Sequence, residues 1–241
     1  MAVSEDTSHQ PVAVHSTTKT ATTASFTPGD STLLVALVAV DGSATVTTTA
    51  AVTDSLSGTW TLLKRENVKV TGSLGGSAEV WCRYLVSSPG AMTVTSSWST
   101  NGQPGGNLVV RSLLGADPTQ PGATGASGAA SIAPTATLTP TVIGAWVYGA
   151  ILDYTTNATL VANSDTTIID QYIDASNGDT WATIKGAIAV ASLTSTTYGC
   201  TNASADYNIA IAEILPLAGG AAVVQPGPVV LDQAIGRSSI W

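Results

Sequence analysis

Residues 77–86 alternate strictly, with Ala78, Val80, Cys82, Tyr84 and Val86 on one side and Glu79, Trp81, Arg83 and Leu85 on the other. A period of two held over ten residues is that of a β-strand with one face in a core, because successive side chains point to opposite faces of a sheet. No helix built on a 3.6-residue period could bury this set on one side. The same alternation returns in Leu108, Val110 and Leu114, in Ala182, Ile184, Ile188 and Val190, and in Tyr207, Ile209 and Ile211. Residues 33–40, Leu-Leu-Val-Ala-Leu-Val-Ala-Val, are apolar without interruption. Such a run suits a central strand covered on both faces.

Turn residues separate these runs: Pro28-Gly29-Asp30, Asp41-Gly42, Ser57-Gly58, Gly75-Gly76, Pro89-Gly90, Gly105-Gly106 and Asn177-Gly178-Asp179. Short strands with dense punctuation and no βαβ spacing predict an all-β chain. The expected architecture is a two-sheet antiparallel β-sandwich of the jelly-roll kind, with about ten to twelve strands. Residues 115–132, rich in Gly, Ala and Pro, could link two domains, but a long surface crossover is preferred, since each half alone would hold too few strands to close a core. The expected organisation is an N-terminal arm or edge strand at 1–27, a sandwich at 28–217 and an extended assembly arm at 218–241. In that arm Pro226-Gly227-Pro228 favours an extended path. Val229, Val230, Leu231, Ile240 and Trp241 supply the apolar surface for docking.

Only 10% of residues are charged, against about 25% in an ordinary soluble domain. The surface must therefore be built from Thr, Ser, Asn, Gly and Ala, as on proteins that pack against copies of themselves or other subunits. A net charge of −8 with eight scattered basic residues argues against nucleic acid, whose phosphates require clustered Lys and Arg. The start of the chain, MAVSEDTSHQPVAVHS, lacks the basic and apolar regions of a secretory signal. No apolar run reaches the roughly 18 residues of a membrane span. The expectation is a protein made in a cytoplasm, with no membrane partner.

Chemical groups are sparse. His9 and His15 both lie in the N-terminal flank, and Glu66, Glu79 and Glu213 stand apart from one another. No catalytic residue and no cofactor is assigned, because nucleophilic and acid–base catalysis need such groups in concert. Asp170, Asp174, Asn177 and Asp179 could offer oxygen ligands to calcium, but their spacing departs from the Asp-x-Asp-x-Asp-Gly loop. A hairpin turn at Asn177-Gly178 with acids on its rim is the simpler reading, so no metal is expected. Cys82 and Cys200 read as small buried hydrophobes, with a disulfide as the alternative. Lys64, Arg65 and Lys69 form the one basic cluster. Six Trp against a single Phe raise the prospect of glycan stacking on an aromatic face, and Trp81 and Trp181 are the candidates.

Five segments carry a resemblance: VTDSLSGTWTLL at 52–63, AEVWCRYLV at 78–86, MTVTSSW at 92–98, NLVVRSLLGAD at 107–117 and IAEILP at 211–216. Their order resembles jelly-roll modules, similar to concanavalin-like sandwiches, found in tail and surface proteins of actinobacteriophages. The resemblance covers roughly residues 30–217 and its motifs report strand pairing. It implies a virion structural protein of the minor tail type, in contact with other virion proteins and copies of itself, and in reach of host-surface glycans. It transfers no catalytic residue. A capsid decoration protein and a carbohydrate-binding module are the alternatives.

Overall fold

The computed structural model describes residues 2–42, 48–68, 75–99, 105–201 and 205–218. The first part of the chain supplies β1 (Ser4–Glu5), β2 (Val14–Ser16), β3 (Thr20–Thr22), β4 (Thr32–Asp41), β5 (Thr49–Asp54), β6 (Thr61–Glu66), β7 (Gly76–Leu85), β8 (Val94–Ser99) and β9 (Gly106–Leu114). The second part supplies β10 (Thr124–Ile132), β11 (Thr135–Leu138), β12 (Trp146–Asp153), β13 (Thr166–Asp174), β14 (Asp179–Gly186), β15 (Thr196–Gly199) and β16 (Ala205–Ile214). The described residues hold no helix beyond a single 3-10 turn at Thr7–His9. The all-β sandwich expected from the alternation is what the chain forms.

Two large antiparallel sheets face each other, one ordered β1-β9-β4-β7-β6 with β2 also on β9, the other β10-β16-β12-β14-β13. Each carries a smaller sheet on its outer side, β3-β8-β5 on the first and β11-β15 on the second. The result is a stack of four β-layers enclosing three apolar cores. Strand β4 shows why its sequence is continuously apolar. Leu33, Val35, Leu37 and Ala39 enter the core between the large sheets, whereas Leu34, Ala36, Val38 and Val40 enter the core under the first small sheet.

Among the described residues, sixteen strands in four sheets exceed the ten to twelve expected in two. Part of the excess is β10, in the stretch that reads as a crossover. Its sequence, TGASGAASI, is poor in side chains because neighbours press on its backbone. A Cβ at Gly125 would lie 2.5 Å from the Thr137 carbonyl oxygen, and one at Gly128 would lie 2.5 Å from Asn208 Oδ1. Here glycine marks close approach rather than a loop.

The two parts of the chain repeat one scheme. In chain order and in sheet order, β2-β9-β4-β7-β6 corresponds to β10-β16-β12-β14-β13, and β3-β8 corresponds to β11-β15. The pairing of β5 with β8 is matched by a bridge between Ala162 and Cys200. Among the described residues every strand pairing stays within residues 2–114 or within residues 116–218. Each half therefore closes a core of its own beneath its small sheet, contrary to the expectation that half the chain holds too few strands. A trace survives in sequence, where Asn107-Leu108-Val109-Val110 on β9 parallels Asn208-Ile209-Ala210-Ile211 on β16. Both asparagines are buried.

Truncating a side chain in the central core should cost a transfer term plus a cavity term. Leu37→Ala should lower the free energy of unfolding by about 2–5 kcal/mol. Urea denaturation should show this as a lower midpoint at unchanged slope.

Candidate functional site: the seam between the halves

Four carboxylates that look isolated in sequence are spent inside the fold. Glu79 on β7 is fully buried and gathers three strands. Its Oε1 accepts the Ala50 N–H at 2.7 Å, Arg65 Nε at 2.7 Å and the Ser77 hydroxyl at 2.6 Å. Its Oε2 accepts Arg65 Nη2 at 3.0 Å and the Trp81 indole N–H at 2.7 Å. Glu213 on β16 accepts the N–H groups of Ala123, Thr141 and Val142 at 2.8, 2.8 and 3.0 Å. Asp54 accepts Leu56 N–H at 2.9 Å, Gly58 N–H at 3.2 Å and Trp60 Nε1 at 2.7 Å, and pairs with Arg83. Burial pushes the Asp54 carboxyl upward, but Arg83 and these donors outweigh it and hold it below the usual range. Asp153 in the same way takes the Thr155 and Thr156 N–H groups at 3.1 and 3.0 Å. Each acid binds backbone donors that no ladder satisfies, which is what buried polar groups require.

Polar contacts also cross from one half to the other. Glu5 on β1 meets Lys185 on β14 at 2.9 Å and accepts the Tyr148 hydroxyl at 3.0 Å. The Trp146 indole N–H donates to the Val3 carbonyl at 3.2 Å, and Lys185 lies 5.3 Å from the Trp146 ring centroid. Further along, His15 on β2 meets Asp170 on β13 at 2.7 Å. The His15 ring stacks on Tyr172 at 4.6 Å, which stacks on Trp181 at 5.3 Å. The N-terminal strands thus fasten the two halves along one flank of the seam.

One pair at the seam lacks such partners. Asp41 ends β4 on the side of Ala39, and Asp179 begins β14 on the side of Trp181, so both face the central core. Both are fully buried. Asp41 Oδ1 accepts the Gly42 N–H at 2.6 Å. Asp41 Oδ2 and both Asp179 oxygens receive no N–H or O–H from any other residue. The two carboxyls lie close enough across the seam for the charge of one to oppose ionisation of the other, so burial and proximity together favour a protonated carboxyl here. Desolvation raises both; for Asp179 the nearby charges of Asp41, Asp174 and Asp153 add to it. Asp41 is pushed up to about 6 and Asp179 to about 9. This closed arrangement can store a proton at neutral pH. The pair presents no reactive atom to solvent.

The other residues singled out by sequence fall as follows. Trp181 is fully buried beneath Tyr172, so no sugar ring can lie on it, and its candidacy as a glycan contact is corrected. Trp81 is half-buried, its N–H is held by Glu79, and Arg65 stands 5.9 Å from its ring centroid. The acids of residues 170–179 divide into separate tasks. Asp170 holds His15, Asp174 accepts the Ser176 N–H at 3.0 Å and the Asn177 amide at 2.9 Å, and Asp179 joins Asp41. Gly178, at φ +83°, completes the hairpin turn expected at Asn177-Gly178. Among the described residues no group of three or more His, Cys, Asp or Glu side chains is arranged to hold a metal ion. His9 caps locally onto Asp6 at 2.7 Å. Cys82 and Cys200 are free and buried in different cores, and burial pushes their thiols up to about 11 and about 12. Val229, Val230, Leu231, Ile240 and Trp241, with Lys69, lie outside the described residues. Sequence reasoning missed Asp41. Its signal was an acid ending a run buried on both faces, read only as part of an Asp-Gly turn.

The Asp41–Asp179 pair fixes the sign of a pH effect. Carboxyls of an unfolded chain titrate near pH 3.9, below both folded values, so from about pH 4 to 9 the unfolded state binds fewer of these protons. This pair therefore makes stability fall as pH rises across that window. Asp179→Asn, which supplies a permanent N–H donor to Asp41, should raise the melting temperature at pH 8 and change it little at pH 4.5. Differential scanning calorimetry reads the difference, and an unaltered pH slope would refute it. Glu79→Ala strands Arg65 and the Ala50 N–H, and should cost about 3–5 kcal/mol in urea denaturation.

Comparison of the chain with protein-family models, with curated proteins and with solved structures finds no match.

Proposed function

We propose that this chain is a structural component of a phage virion, a tail or tail-tip subunit that works through contacts with other virion proteins and copies of itself. The supporting observation is the fate of its chemical groups. Glu79, Glu213, Asp54 and Asp153 are spent on stapling loops and strands, and His15 on joining the halves. The outermost layers meanwhile present neutral hydroxyl pairs such as Thr22–Thr95 and Thr137–Thr197, each at 2.9 Å. A protein built this way uses its surface area rather than a reactive centre. The resemblance in residues 30–217 supplies the kind of particle.

Host-surface glycan as a partner finds less support than protein, because the half-buried Trp81 ring is shared with Glu79 and Arg65 and offers no open platform. The reading is tested on particles purified from a culture that carries the gene. Gold-labelled antibodies raised against this chain should mark the tail. Label over the head would replace the tail assignment with a capsid one, and particles free of label would overturn the proposal.

A further inference from the structure

The second half leaves an apolar ledge where the described chain ends. Leu215, Pro216 and Leu217 follow β16, and Val142, Ile143 and Gly144 from the β11–β12 connection rise beside them. With Ala2, Ala218 and the single charged residue Asp117 they line an open hollow of about 530 Å³. Ile143 is 63% exposed and Leu217 43%. Backbone hydrogen bonds fix the ledge on both sides. Leu217 N–H donates to the Gly115 carbonyl at 2.7 Å, and Gly144 N–H donates to the Val190 carbonyl at 2.8 Å. Its shape is therefore set before any partner arrives. Contiguous exposed apolar surface of this kind marks a contact site.

Ala218, which itself lines the hollow, leads into residues 219–241. That segment holds eight large apolar residues, among them Val229, Val230, Leu231 and Trp241, and only two charged ones, Asp232 and Arg237. It is the one long stretch of this chain whose composition matches the ledge and which lies outside the described fold. We infer that the ledge of one copy receives the Val229–Leu231 segment of a second copy, an assignment that rests on the assembly reading above. The eleven residues from Ala218 to Val229 can span up to about 35 Å at an extended rise of about 3.1–3.3 Å per residue, far enough to reach a neighbouring copy. Because each copy offers one ledge and one segment, the exchange can close reciprocally.

Sedimentation velocity on three forms tests this: the full chain, the chain ending at Ala218, and full-length Ile143→Asp. The full chain should sediment as an assembly, and both variants as monomers with unaltered melting temperatures. Should Ile143→Asp fail to fold, Ile143→Ser takes its place. An equal mixture of the truncated chain, whose ledge is intact, with Ile143→Asp, whose segment is intact, should restore a complex of two chains. Assembly of either variant alone, a monomeric full chain, or a mixture that stays monomeric would each overturn the inference. The particle labelling reads the virion assignment separately, so a labelled tail with no complementation sinks the ledge alone. Complementation with unlabelled particles sinks the virion reading and leaves the ledge standing.

Discussion

The two large sheets are pressed face to face, and the composition of the chain follows from that contact. Strands β4, β12, β14 and β16 sit mid-sheet and must be apolar on both sides, since one side meets the other half and the other meets a small sheet. Nothing ionisable belongs in such strands except at their ends. That is where Asp41, Asp153 and Asp179 stand. Burial fixes their chemistry: Asp153 captures loop donors, whereas Asp41 finds only the Gly42 N–H and Asp179 finds none, so both are pushed toward the neutral form.

The contrast between these acids separates two ways of keeping a carboxylate in a core. Glu79, Glu213 and Asp54 are surrounded by N–H groups from turns and strand ends, so each replaces a set of backbone bonds that the fold could not otherwise make. The acid then organises the loop. At the seam the geometry offers carboxyl against carboxyl, and neutralisation stands in for donors. Sequence cannot tell these cases apart, because both appear as a lone acid in an apolar neighbourhood.

What could be read in advance was whatever depends on one strand at a time. The alternation at 77–86 located β7, the apolar run at 33–40 located a strand covered on both faces, and Asn177-Gly178 located a hairpin. What escaped depends on pairs of distant segments. Strand β10 looks like a linker because its neighbours leave no room for side chains, and that crowding exists only once β11 and β16 are in place. Trp181 looks like a surface aromatic until β2 and β13 bring His15 and Tyr172 over it. The repeated scheme was hidden because the halves share a pairing order but few identical residues, Asn107 and Asn208 among them.

The repeat has a geometric consequence for any structure built from this chain. The sheets β3-β8-β5 and β11-β15 are corresponding layers, yet they lie at opposite ends of the four-layer stack and their sequences differ. One polypeptide therefore behaves as a brick with two unlike faces pointing in opposite directions. A symmetric dimer of a single sandwich would have to present the same face twice. Two corresponding halves in one chain are free of that restriction, so the outer faces of a single molecule can differ.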